Sequence, residues 1–253
     1  MNFFKAIFKF VLLMLWTFFS IVLLFIISRT RRKKWINGFS KVIFSGINRI
    51  AGVRVSVNGE VSHNRPLLIV SNHISYLDIT VLGSEVPICF TPKSDMAKWP
   101  VISSFCRMLG CIFIERTACG IKDARQKMRD TLERGDVLSL FPEGTTGNGR
   151  YVLPFKSSLF SIAEEKLADS DIFIQPAVIS YDTIGGLPID SSQWPKIAWY
   201  GDMYLFPHIW QLFKMNRIDV SVSFLPPVTL SQFEDRKEMA IYLRDEVVGV
   251  LRK

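Results

Sequence analysis

Residues 67–78 read LLIVSNHISYLD. The first four are an unbroken apolar run, the length and character of a buried strand. From Ser75 to Asp78 the pattern S-x-x-D is a helix-start signal, predicting that the chain turns from strand into helix within a few residues of His73. The rest of the chain beyond residue 50 repeats this alternation. Strands are predicted at 54–57, 67–70, 88–91, 111–114, 137–141, 172–180, 196–200 and 219–224, and helices at 78–82, 96–109, 121–134, 157–167, 204–213 and 231–250. Such alternation predicts an α/β fold with a mostly parallel or mixed central sheet flanked by helices.

Ahead of this body lies a segment of different composition. Phe10 to Ser28 holds 19 residues without a charge. As a helix these reach about 28 Å, close to the hydrocarbon thickness of a bilayer. Lys5 and Lys9 precede the run, as they would in a signal peptide, but it is long for a signal core and no small-residue cleavage site comes before the RTRRKK cluster. A retained membrane anchor is therefore expected. Five cations directly after it place the body on the cytoplasmic side by the positive-inside rule. Next, Trp35, Ile36, Phe39, Val42, Ile43, Ile47 and Ile50 recur at helical spacing. That face suits either an anionic lipid surface or packing on the domain core. The expected division is an anchor and amphipathic helix over 1–50 and a catalytic domain over 51–253.

The chain's net charge of +8 sits almost wholly in that N-terminal part: up to Gly59 there are ten basic residues and no acid. Residues 60–253 carry 21 basic against 23 acidic side chains, so the folded body lacks the basic surface that a nucleic-acid groove requires. Cys89, Cys106, Cys111 and Cys119 show no C-x-x-C spacing and read as reduced core thiols; with three histidines in all, no metal site is expected.

Four segments carry potential chemistry. His73 at a strand's C-terminal end, five residues before Asp78, fits a general base whose tautomer is fixed by a carboxylate. On a continuous helix the two side chains would point about 140° apart, so they meet only if His73 lies in the loop and Asp78 in the first helical turn. The plainer reading is that Asp78 only caps. The stretch GCIFIER (110–116) ends in Arg116, whose planar fork suits a phosphate or carboxylate but equally a surface ion pair. FPEGTTGNG (141–149) follows the strand VLSL; its glycines allow close backbone approach to a ligand beside Glu143, or form an ordinary turn. It lacks the G-K-[ST] ending of a phosphate-binding P-loop. Last, Pro176 within IQPAVI (174–179) predicts an edge strand or a bulge near a site.

Taken in order, NHISYLD, GCIFIER, FPEGT and IQPAVI resemble the four sequence blocks of the glycerolipid acyltransferase family, which includes 1-acylglycerol-3-phosphate acyltransferase and related lysophospholipid acyltransferases. The likeness runs from about residue 65 to 181. It implies transfer of an acyl group from a thioester, on coenzyme A or acyl carrier protein, to a lysolipid hydroxyl. His73 and Asp78 would then be the catalytic pair, and Arg116, Glu143, Gly144 and Thr145 would bind the acceptor. Lys93 and Lys156 align with positions where relatives often carry a basic residue. The likeness implies no cofactor beyond the acyl donor, lipids as partners, and a bacterial inner membrane with the catalytic domain on its cytoplasmic face.

One departure bears on the acceptor. Many lysophosphatidate enzymes read FPEGTR, whereas Thr146 stands here in place of the arginine. AWYGDM (198–203) followed by PHIW (207–210) also resembles acyltransferases that act on other lysolipids, including lyso-ornithine lipid. Lysophosphatidate is the first expectation, as the commonest acceptor in the family, and another lysolipid the second. A thioesterase, with His73 activating water, or a catalytically silent lipid-binding protein are the readings from other classes.

Overall fold

The computed structural model describes residues 2–30, 33–92, 100–113, 118–167 and 169–252. In chain order its strands are β1 (Val53–Asn58), β2 (Leu67–Ser71), β3 (Ile88–Phe90), β4 (Val137–Leu140), β5 (Lys166–Leu167), β6 (Ser170–Asp171), β7 (Phe173–Ile184), β8 (Leu187–Pro188) and β9 (Ile218–Phe224). The helices are α1 (Asn2–Arg29), α2 (Lys33–Ala51), α3 (Leu77–Glu85), α4 (Pro100–Met108), α5 (Ala118–Glu133), α6 (Leu205–Phe213) and α7 (Arg236–Leu251).

The LLIV run is β2, and all five of its residues are buried. Burial on both faces explains the continuous apolar reading. Leu67 and Ile69 face one core, with Phe44 of α2, Val81 and Leu82 of α3 and Leu212 of α6. Leu68 and Val70 face the other, with Met128 and Leu132 of α5 and Leu243 and Val247 of α7. The main sheet runs β1-β9-β7-β2-β4-β3, with β8 paired to β7. β2 is parallel to β4 and β7, and β3 to β4, while β9 is antiparallel to β7 and carries β1 parallel to itself. This is the expected mixed α/β architecture.

Several local expectations are corrected. Residues 111–113 form no strand; they cross the end of β3, with Ile112 N donating to Phe90 O at 2.9 Å. Trp194–Lys196 is a short 3-10 helix with proline in its first turn, so 196–200 is not extended as predicted. Ser157–Glu164 is likewise 3-10, and the last helix starts at Arg236 because Asp235 caps it, accepting from Lys237 N and Glu238 N. Pro176 does not mark an edge: β7 is an interior strand. The β7–β9 ladder starts one residue later, at Ala177↔Phe224. The Gln175 amide donates to Leu225 O at 2.9 Å, which answers the carbonyl that a proline nitrogen cannot.

Helix α1 includes a 27-residue stretch, Phe3–Arg29, long and apolar enough to cross a membrane. One side of it is held to the protein. Lys9 Nζ donates to Ala51 O at 2.7 Å and Met215 O at 2.9 Å, Trp16 Nε1 donates to Ile43 O at 3.0 Å, and Leu24 is fully buried. The apolar face of α2 packs on the domain core in part. Ile43 and Phe44 are buried, with Asn48 tied to Thr80 O of α3 at 3.0 Å, while Trp35 and Val42 are exposed.

Candidate active site

The site grows from the C-terminal end of β2. Asn72 follows the last residue of the strand, and its side chain continues the sheet: Nδ2 donates to Ile179 O and Oδ1 accepts from Ile179 N, both at 2.9 Å. This locks the main chain before His73 onto β7. The chain then leaves the strand, and α3 begins at Leu77, one residue ahead of the predicted span. His73 therefore lies in the loop and Asp78 in the first helical turn, the arrangement in which the two can meet.

They do meet. His73 Nδ1 lies 2.8 Å from Asp78 Oδ2. The same oxygen accepts from Ile74 N at 2.6 Å and Ser75 N at 2.9 Å, and Oδ1 accepts from the Tyr181 hydroxyl at 2.6 Å. Asp78 has no solvent exposure. A buried carboxylate is tolerable only when its lone pairs are taken up, and four donors do so here. Asp78 thus both caps the loop and holds the imidazole. With Nδ1–H turned to the carboxylate, Nε2 is the nitrogen left to accept a proton. The ring lies flat on Phe141, with centroids 4.0 Å apart and planes 13° from parallel, which fixes its tilt.

The loop after β4 is laced to the same residue. Glu143 Oε1 accepts from His73 N at 2.7 Å, Oε2 accepts from Leu153 N at 2.8 Å, and Gly147 N donates to His73 O at 2.7 Å. Glu143 is buried, which drives its carboxyl up to about 7. The two backbone N–H groups oppose that rise, the nearby Asp78 adds to it, and Arg244 lowers it. Gly144 adopts φ +69°, a conformation that favours glycine, and the exposed Lys156 arches over it, its Nζ 2.7 Å from where a Cβ would lie. Thr145 is exposed beside it. His73, Asp78, Glu143, Gly144, Thr145 and Lys156 thus gather at the C-terminal edge of β2 and β4, whereas Lys93 and Arg116 lie outside the described residues.

A second segment, absent from the four blocks, lies across these loops. Trp199 N donates to Ile74 O at 3.0 Å, the Arg150 guanidinium donates to Ser191 O at 2.9 Å, and the Trp194 ring covers Gly149. Tyr76, between His73 and Asp78, places its hydroxyl 3.0 Å from Nδ1 of the buried His208 in α6. Sequence reasoning missed Tyr181. Its signal was strand alternation, which sets it on the same face of β7 as Ala177 and Ile179, with a hydroxyl that needs a partner once buried. Burial and the adjacent Asp78 raise the Tyr181 hydroxyl well above its ordinary value, so it stays a donor.

Such an arrangement, an imidazole with Nδ1 anchored on a buried carboxylate, can serve chemically as an oriented general base. Residues 52–180 match the family model described as Acyltransferase. The lyso-ornithine lipid O-acyltransferase of Rhizobium meliloti is 35% identical over 199 residues, covering 76% of this chain and 67% of that protein. The 1-acyl-sn-glycerol-3-phosphate acyltransferase of Neisseria gonorrhoeae is 28% identical over 190 residues, 75% of this chain and 71% of that protein. The crystal structure of the 1-acyl-sn-glycerophosphate acyltransferase of Thermotoga maritima superposes with a TM-score of 0.74 at 18% identity, over 99% of this chain and 95% of that one, and so shares the fold. From the match over residues 52–180 and from these relatives, the chain belongs to the acyltransferase family and is an acyltransferase.

Proposed function

We propose that this protein is a membrane-bound lysolipid O-acyltransferase that uses His73 as general base and takes lyso-ornithine lipid as its acceptor. The observation that carries the chemistry is the 2.8 Å contact of His73 Nδ1 with a buried Asp78 that holds three further donors. In the proposed reaction the acceptor hydroxyl gives its proton to Nε2 as its oxygen attacks the thioester carbonyl carbon. The tetrahedral intermediate collapses with loss of the thiolate, which takes the proton back from the imidazolium. Asp78 stabilises the imidazolium between the two transfers. The acceptor oxygen is itself the nucleophile, so no acyl-enzyme forms. The donor is an acyl thioester of coenzyme A or acyl carrier protein, and no cofactor is invoked.

Two features support this acceptor over lysophosphatidate. Thr146 replaces the arginine expected next to a phosphomonoester, and the lyso-ornithine relative is 35% identical against 28% for the glycerol-3-phosphate one. The Lys156 ammonium, at the rim above Gly144, suits the carboxylate of an ornithine headgroup, and Arg116 is its proposed partner on the acceptor. Glu143 spends both oxygens on main-chain N–H groups, so its proposed part is to hold the His73 loop in place for the acceptor. The apolar α1 and the bacterial relatives support a body held on a bacterial inner membrane, with its cytoplasmic face as the proposed side.

An acyl-transfer assay on the detergent-solubilised protein, with labelled donor and lyso-ornithine lipid, lysophosphatidate and lysophosphatidylcholine as acceptors, tests the proposal. Transfer chiefly to lyso-ornithine lipid is the expected result. Preference for lysophosphatidate reverses the acceptor assignment and keeps the His73 chemistry; label found only as free fatty acid points to a thioesterase.

A further inference from the structure

Helix α6, LFPHIWQLF, has two faces of different kinds. Its inner face buries His208, Leu212 and Phe213, and through His208 it touches Tyr76 in the loop between His73 and Asp78. Its outer face is apolar yet open: Phe206 is 72% exposed, and Tyr204, just before the helix, 82%. Phe206 and Pro207 are exposed, with the half-buried Ile209 and Trp210 beside them, which makes a stripe rather than scattered exposures.

That stripe continues the outer face of α1. The Phe3 ring stands edge-on to Trp210, with centroids 5.7 Å apart, and a groove of about 290 Å³ between the helices is lined by Phe10, Phe206, Pro207, Ile209 and Trp210. Both cations in the first turns of α1 are turned away from this surface. Lys9 is buried against the carbonyls of Ala51 and Met215, and Lys5 Nζ donates to Asn216 Oδ1. What remains outward on α1 is Phe3, Phe4, Ile7 and Phe8. The composition of the α6 end, a tyrosine, a tryptophan and then Lys214 at the helix terminus, is that of a segment at the boundary between acyl chains and head groups.

We propose that the outer face of α6 is a second lipid-contact surface, seated with α1 in one leaflet, so that the His73 loop stands about one helix diameter, roughly 10 Å, above the lipid. The proposal rests on the reading that α1 faces lipid, and it goes beyond it by assigning the catalytic body its own membrane element. An acceptor then keeps its acyl chain in the leaflet while its hydroxyl reaches Nε2 past Tyr76. A bilayer fits this surface better than a second copy of the chain, because the surface is continuous with the apolar outer side of α1, which runs on to Phe25 and Ile26.

The test uses the full chain in phosphatidylcholine vesicles whose acyl chains carry bromine, a quencher of tryptophan fluorescence. Comparing wild type with Trp210→Phe isolates the emission of Trp210 from that of the other five tryptophans. The expected result is that brominated lipid removes at least half of that share, and that Phe206→Trp in the Trp210→Phe background gives a newly quenched tryptophan. Phe206→Asp should also slow transfer to vesicle-embedded lysolipid about tenfold while leaving a water-soluble short-chain lysolipid within twofold. Quenching of the remaining tryptophans with Trp210 untouched overturns the α6 assignment and keeps the anchor, and a cross-linked dimer with Trp210 unquenched gives the face to a second copy. No quenching at all, with protein that fails to float with vesicles, removes the anchor reading itself.

Discussion

Tyr181 donates its hydroxyl proton to Asp78 Oδ1 at 2.6 Å, joining the middle of β7 to the start of α3 across 103 residues of chain. Both groups are buried. The contact leaves Asp78 with donors on each oxygen and keeps Oδ2 turned to His73. Tyr181→Phe should therefore lower turnover about three- to tenfold, with the acceptor KM within twofold. It should also cost about 1–3 kcal/mol in denaturant unfolding, the range for a hydrogen bond lost from a buried charged group. Unchanged turnover with that stability loss would reduce the tyrosine to a structural strut.

Asp78→Asn tests the carboxylate itself. An amide cannot accept at both positions, so one of its N–H groups must face either the Tyr181 hydroxyl or the cluster of His73, Ile74 and Ser75 donors. Turnover should fall by about 10² or more as the imidazole loses its fixed tautomer. Circular dichroism of the variant should match wild type. A near-normal rate would leave Asp78 as a cap alone.

Much of this was legible in the sequence, and the reasons separate what was from what was not. The run Leu67–Val70 announced a strand buried on both faces, and the placement of His73 and Asp78 followed from helix geometry. Tyr181 was hidden because its contact spans the sheet, and no local pattern encodes which strand lies beside β2. Glu143 read as an acceptor-binding residue beside a glycine-rich loop, yet its carboxylate is buried on two main-chain N–H groups. Pro176 marks no edge because the Gln175 side chain supplies the missing donor, while the shift from Ile174↔Val228 to Ala177↔Phe224 sets the alternative expectation, a bulge, beside it. Residues 111–113 have a strand's composition but contribute a single main-chain bond to the end of β3.

The Glu143 carboxyl gives a pH dependence. Its value is raised by burial to about 7, above the 4.5 of an unperturbed carboxyl. Between these values the folded state binds the proton more tightly than the unfolded chain, so the stabilising contribution of the neutral acid is present at low pH and is lost as pH rises towards 7. Glu143→Gln, which stays neutral, should flatten unfolding free energy against pH in the window from about 4.5 to 7. A curve parallel to that of wild type would show that Glu143 ionises freely.

Gly144→Ala should destabilise the loop by about 1–2 kcal/mol, since φ +69° is costly for a residue with a Cβ. The contact with Lys156 Nζ is with the tip of a flexible side chain and can relax; the backbone cannot. The expected kinetic effect is a raised acceptor KM with turnover little changed, measured by varying lysolipid at saturating donor. A selective rise in the donor KM would move this loop to the thioester side.

The central claim is that His73 Nε2 takes the proton of the acceptor hydroxyl. Single-turnover acyl transfer by His73→Ala, on protein shown by circular dichroism and thermal unfolding to be folded, tests it most directly. The account predicts a chemical step slowed by at least about 10² with lysolipid binding retained; a rate within a few-fold of wild type would contradict it.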